Sequence, residues 1–109
     1  EAILLSGFAP TVPVYLQALR IGDLAIAAIP CETFAESGLD LKARSPFPAT
    51  FTVELANGYH GYMPTARQHE RGGYETWRAR SSYLEKDAAS KVVDTLIELL
   101  GQLQARAGR

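Results

Sequence analysis

The sequence predicts an α+β fold: a small sheet containing a β-hairpin, covered by a C-terminal amphipathic helix. Three observations carry that reading. Two apolar runs, Val14 to Ile21 and Leu24 to Ile29, are joined by Gly22-Asp23, and a Gly at the first of two loop positions suits a type II′ hairpin. Residues 50–56 alternate, with Phe51, Val53 and Leu55 on one side and Thr50, Thr52 and Glu54 on the other, as in a half-buried strand. Ala89, Val92, Val93, Leu96, Ile97, Leu100 and Leu103 recur at helical spacing opposite Lys91, Asp94, Glu98 and Gln102. That stripe predicts an amphipathic helix over 87–104 that must bury itself on the sheet, with Asp87 as its N-cap.

Before the hairpin, Pro10 and Pro13 preset extended backbone and remove N–H donors, so residues 8–13 read as a lead-in and not as a helix. The second hairpin arm is apolar on both faces, which predicts a central strand covered on both sides. Pro30 ends it. Thr33 to Ala43 then places Phe34, Ala35, Gly38, Leu39 and Lys42 at helical spacing, predicting a short helix closed off by Pro46 and Pro48. Asn57-Gly58 marks a turn after the alternating strand. Residues 57–85 show no sustained period; they hold Gly58, Gly61, Gly72, Gly73 and Pro64, together with Tyr59, Tyr62 and Tyr74. A stretch of that length inside a domain is functional or disordered, and its aromatic content argues for function.

With 109 residues the chain is one domain or a fragment of one. Lys plus Arg number 11 against 12 Asp plus Glu, a formal charge of -1. Global electrostatics therefore cannot drive binding to nucleic acid or an anionic membrane. A single cysteine, Cys31, excludes an internal disulfide, and with His60 and His69 it cannot assemble a four-ligand zinc finger. No apolar run approaches the ~18 residues of a membrane span. Glu1 stands where an initiator Met would, with no basic n-region behind it, so the chain is expected to start mid-protein.

Three constellations carry candidate chemistry. Pro30-Cys31-Glu32 sits where a buried strand gives way to a helix, the usual place for function in sheet-containing folds. Glu32 reads there either as a functional carboxylate or as an acid favoured by the helix dipole; Cys31 reads either as a nucleophile or as a small buried thiol. In Asn57-Gly58-Tyr59-His60-Gly61-Tyr62, phenols at a strand end can bind substrate, act as acids or ligate a hard metal, or else pack over the sheet edge. Tyr74-Glu75-Thr76-Trp77-Arg78-Ala79-Arg80, with Arg67 and Arg71 upstream, offers either an anion-binding surface or an Arg–carboxylate network.

Taken together, Leu19-Arg20-Ile21-Gly22-Asp23-Leu24, the Pro30-Cys31-Glu32 step, Asn57-x-Tyr59-x-x-Tyr62 and the Tyr74-Glu75 pair beyond it resemble neutral/alkaline (non-lysosomal) ceramidases. The likeness is to the C-terminal part of their catalytic domain and spans residues 14–104. It implies a zinc-dependent amidase that hydrolyses N-acylsphingosine or a related lipid amide, with the metal held by two His, one Glu and one Tyr. Carried onto this chain, the metal ligands are Glu32 and Tyr62, with Tyr59 the alternative to Tyr62, and the catalytic phenol beside the scissile amide is Tyr74. Such a phenol polarises the carbonyl or holds the developing oxyanion. Cys31 departs from the Gly usual between the Pro and the Glu, and the stretch from Glu32 to Asn57 is shorter than in well-known members. On this reading both His ligands lie upstream of Glu1. The chain then holds half a site, is inactive and zinc-free alone, and has the N-terminal remainder of the catalytic domain as its partner. The resemblance also implies a secreted or extracytoplasmic protein. The alternative function is a non-catalytic interaction module that uses Tyr74, Trp77 and the Arg cluster against an anionic partner.

Overall fold

A computed structural model of the chain describes residues 2–4, 11–73, 84 and 86–107. It is an α+β structure, as predicted. Its centre is a three-stranded mixed sheet of β3 (Gln17–Ile21), β4 (Leu24–Ala28) and β6 (Ala49–Val53), with β4 in the middle. β3 and β4 pair antiparallel from Gln17↔Ala28 to Ile21↔Leu24. The pairing leaves Gly22-Asp23 as a two-residue loop. Gly22 takes φ +59° while Asp23 is not among the positive-φ residues, the signature of the predicted type II′ turn. β4 and β6 run parallel, from Leu24↔Ala49 to Ala28↔Val53. Parallel neighbours need a crossover, and α1 (Ala35–Arg44) lies in that connection. A separate antiparallel pair, β1 (Ala2–Leu4) with β2 (Thr11–Pro13), precedes the sheet, so residues 11–13 of the lead-in are extended, while 8–10 lie outside the described residues.

The helix α3 (Ala88–Ala107) packs on β3 and on α1, and α1 packs on β6. The two helices thus form one layer over one face of the sheet. Val92, Val93, Leu96 and Leu100 are all buried, so the predicted stripe is the packed face of α3. Opposite it, Ala25 and Ala27 are buried on β4 with Ala18 beside them on β3. Small side chains on the central strand let both helices approach closely. Asp87 stands immediately before α3, and its carbonyl accepts the Lys91 N–H at 3.2 Å.

In three places the structure corrects the sequence reading. The alternation in 50–56 is present, but its burial is reversed: Thr50 and Thr52 face the helices, while Phe51 and Val53 point to the uncovered side. β6 also stops at Val53, because Leu55 turns the backbone out of the strand with φ +55°. In α1 the buried residues are Ser37 and Leu41, not the predicted set, and Leu39 is exposed. Gly38 lies over Thr52, where a Cβ would make an ordinary contact of 3.8 Å with Thr52 Oγ1. Residues 57–73 are not structureless. They hold β7 (Tyr62–Met63) and α2 (Ala66–Arg71). Thr65 caps α2 by accepting the Gln68 N–H, and Gly72 ends it at φ +82°.

Candidate functional site

Beyond β4 the chain bends at Pro30-Cys31 and enters β5 (Glu32–Thr33), which pairs in parallel with β7. The register makes Glu32 and Tyr62 direct partners, and Thr33 partners Met63. Cys31 and Met63 are fully buried in the core that α3 covers. Successive strand residues point to opposite faces. Glu32 and Tyr62 therefore leave the little sheet together, away from the helices. Both are half-buried.

The backbone around them is tied down on both sides. The Ile29 N–H donates to Val53 O at 3.0 Å, Leu55 N–H to Cys31 O at 3.1 Å, His60 N–H to Pro30 O at 2.8 Å, and Glu32 N–H to Gly61 O at 2.8 Å. This ladder extends the β4–β6 pairing into β5–β7 through a turn in which Leu55 (φ +55°) and Asn57 (φ +67°) occupy the left-handed region. For a branched residue such as Leu55 that conformation is uncommon. Gly61, buried at φ +81°, makes the bend that delivers Tyr62 into register with Glu32. Asn57 Nδ2 anchors the turn by donating to Gln17 Oε1 at 3.1 Å.

The turn also brings in Tyr59. Its phenol Oη donates to Glu32 Oε2 at 3.1 Å. Desolvation, and then the Glu32 carboxylate that accepts the hydrogen bond, push the Tyr59 phenol above its ordinary value of 10.0, so it stays a donor. Burial in turn favours the neutral imidazole of His60, whose pKa is lowered from 6.5. Cys31 reads differently. Burial pushes its thiol up to about 12, and nothing activates it as a thiolate, so the site has no thiol nucleophile at neutral pH.

Next to this pair, Glu36 in the first turn of α1 accepts Gln68 Nε2 at 2.9 Å and Thr65 Oγ1 at 3.3 Å, which fastens α2 to α1. The Gln68 hydrogen bond chiefly holds the Glu36 carboxyl below its ordinary value, with Arg67 and Arg71 adding a weaker pull. Those two arginines are exposed one turn apart on α2. Tyr74, Trp77, Arg78 and Arg80 lie outside the described residues.

Glu32 and Tyr62 thus stand opposite each other in the β5–β7 register, with Tyr59 joined to Glu32 by a hydrogen bond. Sequence reasoning had no local signal for the Tyr59–Glu32 hydrogen bond, because it depends on the shape of the 54–61 turn. For a hydrolytic metal the donor types fit, since a carboxylate and a phenol are both hard oxygen ligands. Their number falls short of the three protein ligands usual for catalytic zinc. Among the described residues no group of three or more His, Cys, Asp or Glu could hold a metal.

A solved structure described as a ceramidase complexed with C2 matches 89% of this chain with a TM-score of 0.72, at 20% sequence identity. The two share a fold. The chain spans 15% of the length of that ceramidase. Neither a protein-family model nor a curated protein matches the sequence. That likeness of folds agrees with the resemblance drawn from the motifs at Gly22-Asp23, Glu32 and Tyr62, and at 20% identity it shows the fold alone. Among the described residues no helix is long and apolar enough to cross a membrane.

Proposed function

We propose that this chain is part of a ceramidase-like amide hydrolase and contributes one half of its zinc site. The observation that carries the reading is the register pairing of Glu32 with Tyr62 on one face of β5–β7, within a fold shared with a ceramidase. In this proposal Glu32 and Tyr62 are metal ligands, and two further ligands come from elsewhere in the protein. Zinc held there would supply Lewis-acid chemistry for attack of water on a lipid amide.

The chain's own residues divide the remaining work. Tyr59 orients the Glu32 carboxylate by donating to Oε2, which makes it a positioning residue and leaves Tyr62 as the phenol ligand. The backbone ladder from Ile29 to Gly61 keeps Glu32 and Tyr62 in register without help from a metal. Tyr74 acts on the substrate carbonyl, where a phenol contributes in the transition state.

Metal analysis and hydrolysis of a fluorogenic N-acyl amide, run on the complete protein, test this. Glu32→Ala and Tyr62→Phe should lose zinc and activity together, whereas Tyr74→Phe should lower kcat by roughly 100-fold with zinc retained, the usual cost of one oxyanion donor. Without the other ligands, the 109-residue chain should bind zinc weakly and hydrolyse nothing. Full activity in Glu32→Ala would overturn the assignment.

A further inference from the structure

The face of the β3–β4–β6 sheet opposite the helices is apolar over two of its three rungs, and Gln17 is its one polar side chain. Leu19, Ile26 and Phe51 form one rung across the three strands, Ile21 and Leu24 lie on the next with Ala49, and Val53 follows beside Ala28 and Gln17, whose amide is engaged by Asn57. Exposure reaches 66% at Ile21, 43% at Leu19 and 40% at both Phe51 and Val53. No charged side chain belongs to any of these rungs. Soluble proteins seldom leave such a patch uncovered unless it meets a partner.

We propose that this face is an internal interface, covered by a further layer of secondary structure from the same polypeptide as it exists in the complete protein. Two observations select that occupant over a freely associating one. Three strands of five residues present a footprint of roughly 14 by 17 Å, or about 240 Å². A standard interface between separate proteins buries about 800 Å² of accessible surface on each partner, so this face by itself is small for a second copy or a separate protein. A layer joined covalently needs much less, because tethering replaces the entropy loss of association with a high effective concentration. Secondly, the fold matches 89% of this chain but only 15% of the ceramidase that shares it, so this unit occurs there inside a much longer polypeptide.

The position of the candidate site gives the interface a consequence. Cys31 and Met63 enter the core with Ala27 and Ile29, and Glu32 follows β4 directly beyond the Pro30-Cys31 bend, so the candidate site lies at one end of this sheet. A layer docked on the open face would be placed to bring further groups beside that site. The inference deepens the reading of the chain as part of a larger hydrolase, but its test needs neither zinc nor activity.

The test is maleimide labelling of Phe51→Cys and, separately, Val53→Cys in the complete protein, followed by peptide-level mass spectrometry that resolves Cys31. Labelling in native buffer is compared with labelling in urea. A covered face should slow the reaction by about 100-fold or more relative to urea, since reagent must await local opening, and the protection should not change over a hundredfold dilution of the protein. Val53→Cys guards against a folding defect peculiar to the loss of the Phe51 ring. Labelling within about threefold of the urea rate would mean an open face and overturn the proposal. Protection that disappears on dilution would assign the face to a second copy or a separate partner, and would overturn it equally. Failure of the zinc assay with protection intact would sink the hydrolase reading alone.

Discussion

Single residues decide the chemistry of this chain, and their environments lead to two measurements. Cys31 is fully buried with its thiol pushed up to about 12 by burial, so at pH 8 only about one thiol in 10,000 is ionised. Native protein should fail to react with a thiol reagent at pH 8 and react promptly in denaturant. Rapid native labelling would show that Pro30-Cys31 opens readily. For Glu36 the expected pH dependence runs the other way from a buried acid. Its folded value lies below the ordinary 4.5, chiefly through the Gln68 hydrogen bond. The stability it adds is therefore present above pH 4.5 and is lost as pH falls through the folded value. The Tm difference between native protein and Glu36→Gln should be larger at pH 6 than at pH 3, and a difference independent of pH would mean the carboxylate is not the acceptor that fastens α2. At this scale little was legible. Glu32 and Tyr62 each stood out where a strand ends, but only a family resemblance joined them into one site, since nothing in local periodicity pairs residues thirty positions apart. The Tyr59–Glu32 hydrogen bond requires the left-handed Leu55 and Asn57, which sequence patterns do not announce.

At the scale of elements, legibility followed the length of the pattern. The α3 stripe repeats over many turns, so its packed face was readable, and Leu96 at its centre is fully buried. Leu96→Ala should cost about 2–5 kcal/mol in urea unfolding. Leu96→Asp should cost more, because it adds an unpaired buried charge to the cavity. Equal stability of the two variants would place Leu96 at a wetter position than the fold requires. The Gly22-Asp23 turn was equally plain, since two-residue hairpins have few solutions. Gly22→Ala should destabilise by roughly 1–2 kcal/mol through its positive φ, as a Cβ there would meet nothing within 4 Å. Short elements were harder to see. α2 has six residues and no buried side chain, so no hydrophobic period announces it. Its start was nonetheless written in Thr65-Ala66-Arg67-Gln68, the spacing of a capping box, and its end in Gly72. The buried face of α1 went unread because Leu41 is its one large buried apolar side chain and Ser37, a polar residue, shares that face.

For the molecule as a whole, alternation along β6 was legible but the identity of the covered face was not. A strand's pattern fixes which residues share a side; which side meets helices depends on elements distant in sequence. Here the helices took the Thr50–Thr52 side, with Gly38 of α1 over Thr52, and the more apolar side was left to other contacts. That choice makes sense if both sides are covered in the complete protein, as the two-faced apolar character of β4 predicts. The double variant Ile21→Thr, Val53→Thr turns this into a stability measurement. Threonine keeps the β-branched shape that strands favour, so local strand propensity is nearly unchanged. On a surface facing water such substitutions fall within about ±0.5 kcal/mol each. Against a packed layer each forfeits part of the roughly 1.5–3 kcal/mol that burial of a Val or Ile side chain contributes, and each buries a hydroxyl with no assured partner. Urea unfolding of the complete protein should therefore show a loss of several kcal/mol, while the same pair in the 109-residue chain should change stability little and raise its solubility. Small and equal effects in both would mean that the apolar face meets water in the complete protein as well, leaving Glu32 and Tyr62 without a layer to complete them.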